Sequence, residues 1–182
     1  VFFTDARIPD SNRLGEEGEG WKTAITTLMN ERVVAGERPP PDFEDIFALS
    51  KQLELESGPA IKNAAVRENL AKWYIQTQGV RLTRMRSITA LSQGREPGPE
   101  NSIGKAVSAY KRQEISIFGM DLMDMAGVQT DPELAPMRGL YQEGMLESPS
   151  SRIAAGTDEI LKNVIGERVL GLPREIRLDK GI

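Results

Sequence analysis

Glu31 is the residue of this sequence best placed to accept a proton in a partly buried site. It follows Ala24 and Leu28 and precedes Ala35 at helical spacing, which puts it on the small, apolar side of its predicted helix. A carboxylate held there is partly removed from water, which raises its pKa toward the range of a general base. A glutamate at the edge of the apolar stripe, paired with a neighbouring basic side chain, explains the same pattern, and the pattern alone favours this second interpretation.

Two residue types that often carry chemistry are absent from the chain. There is no histidine, which removes the commonest general base and metal ligand, and no cysteine, which excludes disulfide and thiolate chemistry. No metal site is therefore predicted, and acid–base chemistry must use a carboxylate, a lysine or a tyrosine, or a group from another part of the molecule. The net charge of −4, from 23 basic and 27 acidic residues, does not favour nucleic-acid binding.

The length and the apolar content suit one helical domain or slightly more. The chain has 182 residues, 39% of them hydrophobic, and no apolar run approaches the ~20 residues of a membrane-spanning helix. The first residues, which start with Val1, lack a signal-peptide pattern and an initiator Met, so we expect the chain to begin inside a larger protein. The absence of cysteine favours a cytoplasmic protein.

Apolar periodicity and helix breakers predict an all-α, antiparallel, four-helix up-and-down bundle over residues 18–182. The four principal helices are expected near residues 18–37, 60–92, 100–127 and 157–171, and two shorter ones near 42–57 and 137–146. A short β-remnant and linker, residues 1–17, is expected to precede the bundle, with the end of a strand over residues 1–9.

The start of the last predicted helix carries a second polar motif. Thr157 can cap this helix, and Asp158 and Glu159 suit its electropositive N-terminal end. As a lone motif, it is explained completely by helix capping.

Three stretches of the sequence resemble one known family. They are VFFTDARIPDSNRLGEEGEGW at residues 1–21, LMNERV at residues 28–33 and SRIAAGTDEILKNVIGERVLGLPRE at residues 151–175. They resemble, in order, the last β-domain strand with its linker, the first helix of the C-terminal domain, and the C-terminal signature of the acyl-CoA dehydrogenases. The third stretch is the most specific, and residues 40–150 match mainly in helix placement.

The resemblance implies a larger flavoenzyme. A complete member has an N-terminal helical domain, a middle β-domain and this C-terminal helical domain, binds FAD and removes the α and β hydrogens of an acyl-CoA thioester. Such a protein is usually a homotetramer and passes electrons to an electron-transfer flavoprotein. Because this chain lacks two of the three domains, we expect it to be inactive alone.

The resemblance also bears on the catalytic base. Most members place it just before the Gly-Thr pair of the C-terminal signature, where this chain has Ala155. A minority, including isovaleryl-CoA dehydrogenase, have a small residue there and carry the base on the first helix of this domain, where this chain has Glu31. The resemblance thus implies that Glu31 is the base, with Asn30, Arg32 and Gly156 at the acyl-CoA site.

Five residues match flavin contacts of the family. Thr157 and Glu159 are expected to contact FAD, with Asp158 beside them, although many members carry Ser or Asn at that position. Arg67 resembles an arginine that contacts the FAD diphosphate, often from the neighbouring subunit, and Gln78 falls at a further flavin contact of some relatives. For both residues, an exposed polar helix face is the structural alternative.

One family motif is weak here and keeps other functions open. Many relatives carry a Gln-x-x-Gly-Gly turn where this chain has residues 123–127, of which only Ala126 and Gly127 match. The favoured hypothesis is an acyl-CoA dehydrogenase. The alternatives are a non-catalytic partner subunit of a heteromer, and a helical interaction module without enzyme activity. The sequence does not give the length or branching of the acyl chain, or whether oxygen or a carrier reoxidises the flavin.

Overall fold

The computed structural model describes residues 2–34, 40–95 and 98–174, with only the backbone of residues 29–34. The chain divides into two compact units, Val1–Ala35 and Gly36–Ile182. The predicted end of the first helix near residue 37 lies outside the described residues.

The first unit contains one long helix. A short 3-10 turn at Asp10–Asn12 precedes helix α1, which spans Gly20–Val34 and begins close to the predicted start. Residues 2–9, expected as the end of a strand, pair with no other strand in the described part of this unit. A β-strand is stabilised by its ladder to a neighbour, so a strand end without that neighbour has no reason to persist.

The second unit begins with a capped helix and a small hairpin. Helix α2 spans Phe43–Gln52, and Asp42 and Asp45 form a reciprocal capping box at its start. The helix was predicted to reach residue 57, but the chain instead forms an antiparallel pair of two-residue strands, β1 at Glu54–Leu55 and β2 at Gly58–Pro59. Helix α2 ends at Gln52, and the positive φ of Gly58, +107°, occurs at the start of β2, directly after the turn of the hairpin.

Two long antiparallel helices form the centre of this unit. Helix α3 spans Ala64–Ser92 and helix α4 spans Asn101–Leu122, both close to prediction. Helix α3 starts four residues later than expected, since residues 60–62 form a 3-10 turn and the Asn63 side chain accepts from the amides of Ala65 and Val66. Helix α4 gives way to a 3-10 turn at Asp124–Val128 instead of reaching residue 127 as a helix.

Helix α5, Leu140–Ile153, is longer than the predicted segment and runs antiparallel along α4. It continues through Pro149, which lacks the N–H that would donate to the carbonyl of Met145. The hydroxyl of Ser148 donates to that carbonyl instead, at 3.2 Å. This local replacement explains why a proline that predicts a break does not end the helix.

The last helix is shorter than predicted. Helix α6 spans Asp158–Val164 and is followed by one π-helical turn at Ile165–Val169. Together they cover most of the expected segment 157–171.

The described residues thus confirm the all-α class, with one two-stranded hairpin as their β-structure. The buried core of the second unit joins α2, α3, α4 and α5 through Ile46, Leu49, Val66, Leu70, Trp73, Ile115, Met123 and Tyr141. Among the helices that the structure describes, none is long and apolar enough to cross a membrane.

Candidate active site

The connection between α5 and α6 is a turn with two consecutive residues of positive φ. Ala155 has a φ of +53° and Gly156 a φ of +103°. The left-handed region is unfavourable for a residue with a Cβ atom, so Ala155 needs support from its surroundings. Thr157 then caps α6, because its hydroxyl oxygen accepts from the amide of Ile160 at 3.4 Å, as the sequence predicted.

Helix α4 contacts this turn through a lysine. The ammonium group of Lys105 donates to the carbonyl oxygen of Gly156 across 51 positions of the chain. The contact links the carbonyl group of Gly156 to helix α4. Lys105 was not predicted at this site, because no local sequence pattern indicates that a lysine on α4 contacts a turn 51 residues later.

Asp158 makes an ion pair with Arg152. Its carboxylate is buried, and its Oδ2 atom accepts from Nε and Nη2 of Arg152 at 2.7 and 2.6 Å. Its Oδ1 atom is also buried and has no hydrogen-bond partner among the described residues. A buried carboxylate oxygen without a partner can accept a further hydrogen bond, and the donor can belong to a bound ligand or to an adjoining domain.

Glu159 points into solvent beside the cap. Its pKa is lowered from the usual value, first by the hydrogen bond from its own backbone N–H, then by one from the Thr157 hydroxyl. The carboxylate is therefore ionised at neutral pH and acts as an acceptor. Thr157, Asp158 and Glu159 are brought together at one helix start, as the sequence predicted, although Asp158 faces inward and Glu159 outward.

Arg67 and Gln78 lie on one face of α3. They are 11 residues apart, so they differ by about 20° around the helix and ~16 Å along it. Arg67 is exposed, while Gln78 is half-buried and accepts from Arg81 at 3.4 Å. This face adjoins the core stripe of α3, so both side chains are presented at the surface of the second unit.

The side chains of Asn30, Glu31 and Arg32 lie outside the described residues, and only their backbone on α1 is described. Since α1 and the turn at Gly156 belong to different compact units, the expected proximity of Glu31 and Gly156 stays a prediction.

The weak family turn at residues 123–127 has a clear structural requirement. A Cβ atom on Gly127 would lie 2.2 Å from the carbonyl oxygen of Met120, so only glycine fits this position. Gly127 is therefore needed for the end of α4 whether or not it also approaches a ligand.

Within the described ranges, no group of three or more acidic side chains is placed to hold a metal ion. Of the residues predicted to contact the cofactor, the structure brings together those of the turn that leads into α6, Thr157, Asp158 and Glu159. Sequence reasoning found the members of that turn but missed their partners, Lys105 and Arg152.

Comparison with known proteins identifies a family. A family model described as "Acyl-CoA dehydrogenase, C-terminal domain" matches residues 18–170. The acyl-CoA dehydrogenase IpdE1 of Mycolicibacterium smegmatis is 32% identical over 97% of this chain, which covers 43% of that protein. The acyl-CoA dehydrogenase FadE34 of Mycobacterium tuberculosis is 30% identical over 96% of the chain and 23% of that protein. The chain thus spans less than half the length of these curated relatives.

Solved structures have the same fold. The ChsE4-ChsE5 complex from Mycobacterium tuberculosis contains a chain that matches with a TM-score of 0.76 and 27% identity, over 96% of this chain and 46% of that one. An acyl-CoA dehydrogenase from Geobacillus kaustophilus matches with a TM-score of 0.73 and 26% identity, over 90% of this chain and 42% of that one.

Proposed function

Because the chain belongs to the acyl-CoA dehydrogenase family, we propose that it is the C-terminal domain of an enzyme that introduces an α,β double bond into an acyl-CoA thioester. The observation that carries this is the match of residues 18–170 to the family's C-terminal domain, together with the turn built around Gly156 and Thr157. An interaction module without activity would have no need for that turn.

In this proposal, Glu31 accepts the proton from the α-carbon of the thioester. The residue at the commoner base position is Ala155, which has no group to accept a proton. The next residue, Gly156, has no side chain, so the backbone at this turn can approach a bound substrate closely. Asn30 and Arg32 flank the base and are proposed to line the same acyl-CoA site.

The residues around the turn and on α3 suit FAD as the cofactor. The buried Oδ1 atom of Asp158 is an acceptor without a described partner, and Thr157 and Glu159 add polar oxygens beside it. Arg67 is exposed, as a guanidinium that binds a diphosphate must be, and Gln78 shares its helix face. Bound FAD would supply the hydride acceptor for the β-hydrogen of the substrate.

We propose that the complete protein is a homo-oligomer or a heteromer with a related subunit. An electron-transfer flavoprotein is the proposed acceptor of its electrons. The second option has support in the ChsE4-ChsE5 complex, in which two different chains associate. We propose a cytoplasmic location. This chain alone is expected to lack activity, since it covers only part of its relatives.

The proposed function is tested on the full-length protein. Purified protein with bound FAD is mixed anaerobically with a series of acyl-CoA thioesters, and flavin absorbance is recorded. The expected result is bleaching by at least one thioester, with the matching enoyl-CoA as product. If no member of a series that covers straight, branched and ring-bearing acyl groups bleaches the flavin, the proposal is wrong.

A further inference from the structure

The turn between α5 and α6 is held in place by side chains that the proposed reaction does not use. Ala155 and Gly156 both have positive φ, and the first of them carries a Cβ atom that disfavours this conformation. Such a backbone persists only where its surroundings determine it. The surroundings of this turn therefore decide which way Gly156 and Thr157 face.

Arg152 connects the two ends of the turn. It lies in the last turn of α5, and its Nε and Nη2 atoms both donate to Oδ2 of Asp158, the first residue of α6, at 2.7 and 2.6 Å. Hydrogen bonds between a guanidinium and a carboxylate group are stronger than those between neutral groups, and two of them fix the relative orientation of the side chains as well as their distance. The pair thus closes a loop over residues 153–157.

Helix α4 holds the same guanidinium from its other side. Nη1 of Arg152 donates to Oε1 of Gln113 at 2.7 Å, and the guanidinium lies 5.2 Å from the ring centre of Tyr110. A planar cation that is hydrogen-bonded on two edges and lies over an aromatic ring has little freedom to rotate. The carboxylate of Asp158 is buried and so is shielded from salt, whereas the Arg152 side chain is 34% exposed at the edge of the cluster.

We propose that Arg152 is a positioning residue: acting through Oδ2 of Asp158, it sets the orientation of the Gly156–Thr157 segment toward the acyl-CoA and the flavin. The inference rests on the proposed function, which places those ligands at this segment. Arg152 itself touches neither ligand in this proposal. The alternative is that the pair only stabilises the fold, and the two roles differ in what a substitution changes.

Hydrogen exchange of the full-length protein tests the orientation directly. The amides of Ile160 and Leu161 donate to the hydroxyl and carbonyl oxygens of Thr157, so their exchange reports on this segment. Arg152→Gln should speed their exchange by about 10-fold or more, the loss expected for charge-assisted hydrogen bonds, with α4 unchanged. Arg152→Lys keeps the positive charge but not the planar guanidinium with its paired donors, so its exchange rates should lie between those of Arg152→Gln and the wild type.

A matched control is available on the surface. Arg138 pairs with Glu133 at 3.5 Å, and both side chains are at least 80% exposed, so Arg138→Gln should leave the α6 amides as in the wild type. Unchanged exchange in Arg152→Gln, or exchange that rises equally in α4 and α6, would overturn the positioning role.

Kinetics provide the second measurement. Arg152→Gln should lower kcat per bound flavin by about 100-fold, the effect of a misplaced reacting group, with a smaller change in KM. A purely stabilising role would lower the melting temperature and leave kcat per bound flavin at the wild-type value, which would refute the proposal. If the wild-type protein is not reduced by any acyl-CoA, the proposed function fails, while the exchange rates still decide whether Arg152 holds the turn.

Discussion

The contact between α4 and α5 leaves no room for a side chain at Gly119. Gly119 lies against the buried ring of Tyr141, and a Cβ atom on Gly119 would come within 2.2 Å of Cδ1 of that ring. We therefore expect Gly119→Ala to lower the free energy of unfolding by about 1–3 kcal/mol, the usual cost of overpacking. Chemical denaturation of the chain measures this difference.

The same helix offers the control for that substitution. A Cβ atom on Gly104 would meet Cγ1 of Val80 at 3.7 Å, an ordinary contact. Gly104→Ala should stabilise the chain by about 0.5–1 kcal/mol, since alanine is the better helix former. If the two variants changed stability equally, close approach at Gly119 would not be the cause.

The buried hydroxyl of Tyr141 is expected to make the stability of the fold depend on pH in the alkaline range. It is fully buried without a hydrogen-bond partner among the described residues, and burial, with a smaller effect of Asp45, raises its pKa well above the usual 10.0. Because the folded-state pKa is the higher one, its contribution to stability is complete below pH 10 and is lost as the pH rises further.

Tyr141→Phe should therefore remove part of the loss of stability above pH 10. At neutral pH, the variant should be as stable as the wild type or more stable by ~1 kcal/mol, because an unpaired buried hydroxyl is costly. Tyr74→Phe, at an exposed position, is the control and should change stability by less than ~0.5 kcal/mol. A large loss of stability in Tyr141→Phe would show that the hydroxyl has a partner.

At the scale of elements, a buried lysine joins three helices. The ammonium group of Lys111 on α4 pairs with Asp42, the cap of α2, and donates to the hydroxyl of Thr77 on α3 at 2.5 Å. The lysine side chain is 1% exposed. Removing the lysine leaves the carboxylate of Asp42, which is 32% exposed, without this partner and removes a donor from the hydroxyl of Thr77.

Lys111→Met should therefore destabilise the second unit by about 1.5–3 kcal/mol, the usual loss for hydrogen bonds of a charged group, measured by thermal or chemical unfolding. Lys72→Met is a matched change, since Lys72 pairs with Glu114 at 2.6 Å but is 44% exposed, and it should cost at most ~1 kcal/mol. Equal losses in the two variants would contradict the assignment of Lys111 as the junction of these helices.

The helices differ in how accurately the sequence predicts their ends. The long helices α3 and α4 were predicted nearly in full, because their apolar stripes extend over many turns and strong breakers flank them. The extent of α5 was wrong, because Pro149 indicated a break that a hydrogen bond of Ser148 offsets. Thr157 was predicted as a cap because capping residues have a fixed local spacing to their helix. The pairing of Arg152 with Asp158 was not predicted, because the two residues are separated by an irregular turn without sequence periodicity.

At the scale of the whole molecule, exposed apolar side chains favour self-association. Leu82, Met85 and Ile88 on α3 are 58%, 48% and 50% exposed. Apolar surface of this kind tends to be covered by a partner. We expect the chain to form at least a dimer in light scattering, and Leu82→Lys with Met85→Lys should shift it toward the monomer. Glu68→Lys, at an exposed position ~25 Å away along α3, is the control and should have little effect. A wild-type monomer at high concentration would contradict this expectation.

Single-turnover reduction of the full-length protein tests whether this domain supplies the proton acceptor of an acyl-CoA dehydrogenase. Wild type, Glu31→Gln and the control Glu19→Gln are mixed anaerobically with an acyl-CoA that reduces the wild type, and flavin bleaching is followed. We expect Glu31→Gln to bind the substrate but to bleach at least ~10²–10⁴-fold more slowly, the contribution of general-base catalysis, while Glu19→Gln matches the wild type. Bleaching of Glu31→Gln at the wild-type rate would show that another group takes the proton.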